Sequence, residues 1–229
     1  MVKEQCYLCG GEGNITRDHI PPKGLFAEPR PSNLITVPCC EKCNHDNHKR
    51  DEQFRIFASI PFNRNIIGTD IWEKKVLPRT IKRRRQRSFV KQMIGSSETV
   101  VTSVAGTPML KKCIICPQSD ITPTLIRIVK GLLYTYFPQI PRNFLRFDVV
   151  QIDQLRLKEE IPFITKPHCC GERGNGVFRY WGEVMSEAPD VGFWILHFYD
   201  ATGFAIFHQH QNRNSWDDNF NDLLKNVLT

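Results

Sequence analysis

Two short cysteine pairs lie near the start of the chain, Cys6-Tyr7-Leu8-Cys9 and Cys40-Glu41-Lys42-Cys43, with thirty residues between Cys9 and Cys40. A two-residue spacer lets both sulfurs of a pair reach one ion, and Gly10 and Gly11 ease the turn after the first pair. Four cysteines in this pattern suit a closed, tetrahedral structural zinc site. The opening residues, MVKEQCYLCG, show no apolar run ahead of a small-residue cleavage site. A reducing, cytoplasmic compartment is therefore expected, where such pairs bind metal in preference to forming disulfides.

Between the pairs stand Thr16-Arg17-Asp18-His19-Ile20-Pro21-Pro22 and Asn33-Leu34-Ile35-Thr36-Val37-Pro38, and Asn44 directly follows Cys43. Neighbouring residues on a strand point to opposite faces, so one member of an Asp-His pair can hold a metal while the other reaches a water across a phosphate. That is a geometry for metal-assisted hydrolysis, and Pro21-Pro22 would end the strand rigidly. To serve it, a helix must begin near Cys40, pinned to the strands by the zinc. Asn44 would lie in its first turns, and His48, four residues on, would share its face.

These residues together resemble the HNH endonuclease family, the ββα-metal finger with an added four-cysteine zinc staple. The resemblance covers Cys6 to about Asp51 and rests on Asp18-His19, Asn33, Asn44 and the four cysteines in their order. It is nearest to members with Asn instead of His at the last motif position, such as phage resolvase-type and CRISPR-effector HNH domains. It implies a single-metal phosphodiesterase in which Asp18 and Asn44 hold one divalent ion, magnesium or manganese, as oxygen donors suited to a hard cation. The ion would polarise the phosphate and stabilise the leaving 3′ oxygen. His19 would be the general base, since an imidazole titrating near pH ~6.5 can accept a proton at neutral pH. Asn33 would tie the loop between the strands, and His48 is a candidate third ligand. Arg17 and Lys49 flank the site and are candidate phosphate contacts; His45 is expected on the surface. The rest of the chain vaguely resembles small stand-alone bacterial HNH proteins, some of which act in phage defence, and lends no residue assignment.

The net charge of +7 is one-sided. Residues 1–91 hold 18 Lys/Arg against 10 Asp/Glu, whereas residues 92–229 hold 13 against 14. A basic first part suggests a polyanion partner, nucleic acid before anionic membrane. The densest run is Arg79–Lys91, with no acid and with Arg83, Arg84, Arg85 and Arg87 at its centre. On a helix three consecutive arginines spread over about 200°, so they cannot all line one groove. The functional reading is a helix that tracks phosphates; the plain one is a solvated linker.

Hydrophobic residues at 41% and aromatics at 10% are enough for a packed core and exclude global disorder. The longest apolar stretches, near Leu132–Pro141 and Val191–Tyr199, fall short of the ~18–20 residues that a bilayer span needs. Short apolar helix faces are expected to stop at Pro61 and Pro78, with a third helical segment over Thr80–Met93. Val100–Ile115 reads as a hairpin broken at Gly106-Thr107-Pro108. Leu125, Ile128, Val129, Leu132, Leu133 and Tyr136 give helical spacing over Thr124–Phe137. Strands are expected over Phe144–Ile152, Val177–Met185, Phe193–Tyr199 and Phe204–His208, and a capped helix over Ser215–Leu228. Cys113, Cys116, His168, Cys169 and Cys170 allow either a second zinc site or ordinary core thiols. His197 and His208 are expected within core or edge strands.

The expected fold class is therefore α+β. It has a zinc-stapled module at 1–55, a basic helical linker at 56–95 and a mixed domain at 96–229 for substrate selection or partner binding. The expected function is a metal-dependent HNH endonuclease that cuts nucleic acid, DNA first, with phage defence as its setting by resemblance. The competing class is a non-catalytic zinc-stapled module that binds nucleic acid or protein. A third reading is the nuclease subunit of a defence complex licensed by an ATPase partner.

Overall fold

The structure, a computed structural model, describes residues 4–60, 64–104, 107–114, 118–152 and 169–213. Strands β1 (Ile15–Ile20) and β2 (Ile35–Cys40) form an antiparallel hairpin with Asp18 opposite Val37 and His19 opposite Thr36. Helix α1 (Glu41–Ser59) starts at the residue after Cys40, which completes a β-β-α order. Its apolar residues gather in its second half, where Phe54, Ile56 and Phe57 are buried.

The next helices depart from the expected boundaries. Helix α2 (Ile66–Ile71) is capped by Asn65, whose side chain accepts from the Gly68 N–H at 3.0 Å. A π-helical turn, Trp72–Val76, runs on into α3 (Leu77–Lys82). Pro78 therefore does not stop the chain: it lies in the first turn of α3, the part of a helix where a missing N–H costs least. The single helix expected over Thr80–Met93 is two, because Arg83 is extended at φ −107°, ψ 112° between α3 and α4 (Arg84–Gly95). In α4 the residues Gln86, Phe89, Val90 and Met93 are buried, and Arg84, Arg85 and Arg87 are exposed.

Strands β3 (Ser97–Val104) and β4 (Thr107–Ile114) make the expected hairpin. Helix α5 (Gln118–Tyr136) begins six residues before Thr124 and contains Pro123. A proline so near the N-terminal end gives up one backbone bond without breaking the apolar stripe behind it. A five-stranded antiparallel sheet follows, in the order β5-β9-β8-β7-β6. Its strands are β5 (Leu145–Ile152), β6 (Cys169–Arg173), β7 (Phe178–Met185), β8 (Ala188–Phe198) and β9 (Thr202–His210). The sequence pattern gave no sign of β6, and β8 begins five residues before its expected start. The segment expected as a helix over Ser215–Leu228 lies outside the described residues.

One core cluster joins the N-terminal module, α1, α5 and the sheet, running from Cys6 and Tyr7 to Phe204 and Ile206. Ile20 packs so tightly on Gly131 of α5 that a Cβ there would come within 2.5 Å of it. Phe54 of α1 meets Phe198 of β8 edge-on at 4.9 Å, and the Tyr199 hydroxyl donates to the Leu25 carbonyl at 2.6 Å. Each buried aromatic contributes about 1.5–3 kcal/mol, so a hairpin and helix too small to fold on their own are held by the elements that follow. No described helix is long and apolar enough to cross a membrane.

Candidate metal centre and acid-arginine seam

The sulfur atoms of Cys6, Cys9, Cys40 and Cys43 all lie within 4.8 Å of one another, with Cys9 and Cys40 at 3.8 Å. Zinc–sulfur bonds of ~2.3 Å in a tetrahedron put sulfurs about 3.8 Å apart, so the four thiols fit a structural zinc ion. Local backbone builds the site. Gly10, at φ +72°, donates its N–H to the Cys6 carbonyl at 2.8 Å and closes the first turn. The Tyr7 N–H donates to the Pro38 carbonyl at 2.9 Å and pins that turn against β2. Cys40 ends β2 and Cys43 lies in the first turn of α1, so one ion would fasten the turn, the strand end and the helix start. Burial pushes the Cys6 thiol up, but the backbone contacts at Cys40, Cys9 and Leu8 outweigh it and bring the thiol down to about 6. Cys39 is a fifth thiol, 4.0 Å from the Cys6 sulfur, yet it is fully buried in the core. Its neighbour Cys40 faces the other way, as adjacent strand residues must.

Among the described residues these four cysteines are the group that could hold a metal ion. Cys113 lies on β4 opposite Glu98, and Cys169 is buried while Cys170 is exposed on β6. Cys116 and His168 lie outside the described residues. His208 is fully buried beside the Asp190 carbonyl, and burial brings its imidazole down to about 4; His197 sits within β8.

The second feature lies where β1 meets α1 and α5. Thr16, Asp18 and Ile20 share one face of β1. Asp18 is only 5% exposed. Its Oδ2 accepts from the Tyr7 hydroxyl at 2.8 Å and faces Nη1 of Arg127 at 3.4 Å. Arg127 comes from α5, is 3% exposed, and also pairs with Asp51 of α1. Burial pushes the Asp51 carboxyl up to about 6; Arg127 pulls against it and the Asp18 charge adds to it. Asn44 donates from Nδ2 to Thr16 Oγ1 at 2.9 Å, so its amide lies over β1 on the Asp18 side, two residues along. The Thr16 hydroxyl in turn donates to the Cys39 carbonyl at 2.9 Å.

His19 occupies the opposite face of β1 and is half-buried. Burial lowers its pKa, Lys23 and Arg30 add to the shift, and Asp18 opposes it. The structure thus brings Asp18 and Asn44 to one side of the strand and His19 to the next strand position. Asn33 is exposed in a turn before β2. His48 is exposed on α1, edge-on to the exposed His45 at 5.7 Å. Arg17 pairs with Glu4 at 2.9 Å, and Lys49 is exposed. Arg83 lies 3.5 Å from Glu52, and Arg87 donates to the Ile81 carbonyl.

Sequence reasoning missed Tyr7, Asp51 and Arg127. A signal existed for two of them. Asp51 is seven residues beyond Asn44, on the same helical face, and Arg127 is a charge set among the apolar residues Leu125, Ile126, Ile128 and Val129. No family model, curated protein or solved structure matches the chain.

Proposed function

We propose that the chain is an HNH-type endonuclease that hydrolyses phosphodiester bonds in nucleic acid, DNA first. The observation that carries this reading is the fastened β1-β2-α1 unit, which has Asp18 and Asn44 on one side of β1 and His19 at the adjoining position. Asp18 and Asn44 would hold a magnesium or manganese ion, to which oxygen donors are suited. Such an ion polarises phosphate and steadies the leaving oxygen. His19, kept neutral at pH 7 by its lowered pKa, would take a proton from the attacking water. The exposed arginines of α4, with Arg83, would bind backbone phosphates, and Arg17 and Lys49 would do so nearer the site. A setting in phage defence with an ATPase partner joins this proposal through the resemblance alone.

One observation favours the second reading, a zinc-stapled binding module: Asp18 is buried and its charge is already met by Arg127. The deciding experiment incubates the purified protein with plasmid, single-stranded DNA and RNA, with and without magnesium or manganese. His19→Ala should lower the cleavage rate by about 10²–10⁴ and leave zinc content and melting temperature unchanged. Binding without cleavage under every metal condition would favour the module.

A further inference from the structure

We infer that Arg55, Arg79 and Arg83 form a phosphate-binding site, and that the Glu52 carboxylate competes with the phosphate for it. The inference does not rest on the nuclease reading, since a phosphate is held in the same way whether or not it is cut. Arg55 and Glu52 are one turn apart on α1, Arg79 belongs to α3, and Arg83 is the extended residue between α3 and α4. All three guanidinium groups face one atom, Oε1 of Glu52: Arg83 Nη1 at 3.5 Å, and Arg55 Nη2 and Arg79 Nη1 at 3.8 Å. A direct bond from a charged nitrogen to a charged oxygen is about 2.7–2.9 Å long, so this carboxylate is shared by three cations and tightly bonded to none.

An ordinary surface ion pair explains this arrangement poorly. Asp51, the neighbouring acid on α1, already pairs with Arg127, so Glu52 is left to answer three positive charges. The Arg55 side chain is only 11% exposed, and its Nε has no hydrogen-bond partner among the described residues. A buried donor left without an acceptor calls for an explanation. Burial lowers the Arg55 pKa, and Arg79 lowers it further, by more than Glu52 raises it. The positive charge also extends beyond the trio. Lys75 is half-buried, and its Nζ donates to the Phe26 carbonyl at 2.9 Å. Burial lowers its pKa; Glu28 opposes the shift, while Arg30, Arg55 and Arg79 add to it. Gly24 leaves room for Arg55, because a Cβ there would lie 3.1 Å from Nη1. Like charges gathered against their own repulsion mark a site that takes an anion. Planar guanidinium forks match phosphate oxygens, and a phosphate presents more of them than the single oxygen that Glu52 offers. Arg79 and Arg83 are exposed, so a ligand reaches them from solvent.

The test uses the full zinc-loaded chain at constant ionic strength and without divalent metal, so that cleavage plays no part. Phosphorus nuclear magnetic resonance reads the binding of inorganic phosphate, and fluorescence anisotropy reads the binding of a DNA duplex. Arg79→Gln and Arg83→Gln should each weaken phosphate binding by about three- to tenfold. Glu52→Gln should tighten it by a similar factor, because the competing carboxylate is gone. Glu187→Gln makes the same change of charge in the turn between β7 and β8 and should leave phosphate binding as in wild type. A duplex that displaces the phosphate assigns the site to a nucleic-acid backbone; one that binds beside it assigns the site to a free phosphate or phosphomonoester. If inorganic phosphate binds too weakly to measure, the duplex affinities of the same variants decide. Wild-type affinity in both arginine variants overturns the site. Phosphate binding that Glu52→Gln leaves unchanged or weakens, or that Glu187→Gln tightens equally, overturns the competition and makes Glu52 a structural counter-ion.

Discussion

Replacing Cys40 and Cys39 one at a time separates metal binding from packing at adjacent positions. Cys40 belongs to the four-sulfur cluster and lies 3.8 Å from Cys9. Cys39 is fully buried and packs in the core that also holds Tyr7 and Ile20. Cys40→Ala removes one of four ligands. Structural zinc contributes about 10–16 kcal/mol of folding free energy in small modules, comparable with the roughly 5–15 kcal/mol of net stability of a whole domain. The N-terminal module should therefore lose zinc and unfold. The Cys39 thiol lies 4.0 Å from the Cys6 sulfur but is fully buried, so recruiting it in place of Cys40 would draw it and its neighbour Val37 away from their core positions and should not restore full zinc binding. Cys39→Ala removes one sulfur from a packed site. At roughly 0.8 kcal/mol per methylene-sized group, with a cavity contribution added, the loss is about 1–2 kcal/mol. For a chain of this length that is a fall in melting temperature of about 2–8 °C. Elemental analysis and competition with a chromophoric chelator give the zinc content, and calorimetry gives the melting point. One equivalent of zinc retained in Cys40→Ala, or lost in Cys39→Ala, would refute the assignment of ligands.

Four further outcomes are expected. Gly131→Ala should destabilise the protein by up to about 2 kcal/mol, because its Cβ would come within 2.5 Å of the buried Ile20 side chain. Overpacking of about 1–3 kcal/mol exceeds the ~1 kcal/mol helix gain of alanine, and a rise in melting temperature would contradict this. Asp51, with a carboxyl at about 6 in the fold against ~3.9 unfolded, binds its proton more tightly when native. Its contribution is full below pH ~4 and is lost as pH rises through about 6, by up to about 3 kcal/mol, so Asp51→Asn should gain on wild type over that interval in urea titrations. A difference independent of pH would count against it. If neutral His19 is the base, the acid limb of kcat/KM lies below the ordinary imidazole value and moves up in Lys23→Gln, since Lys23 helps to depress the ring; an unmoved limb removes His19 from the role. Changing Arg83, Arg84, Arg85 and Arg87 together to Gln should reduce the slope of log affinity against log salt by about 1.8 if two of them meet duplex phosphates, and parallel titrations would make them a solvated face.

Local chemistry alone determined much of this protein. Two cysteine pairs with two-residue spacers can converge on one ion whatever surrounds them, so the four-cysteine cluster that could hold a metal was legible, as were the hairpin at β3–β4 and the apolar stripe of α5. Strand alternation likewise put Asp18 and His19 on opposite faces before any coordinates. The π turn before Pro78, the break at Arg83 and the strand β6 were not legible, because each depends on packing that overrides local preference. The same holds for the surroundings of Asp18. Nothing near it in the chain announces that its charge is met by Arg127 or that Asp51 shares that partner, since these contacts arise only when α5 lays its stripe across β1 and α1. Spacing along the chain decides which residues of one element share a face. Which faces meet, and which buried charge finds a partner there, is decided by the common core, where the cost of an unpaired ion selects the packing.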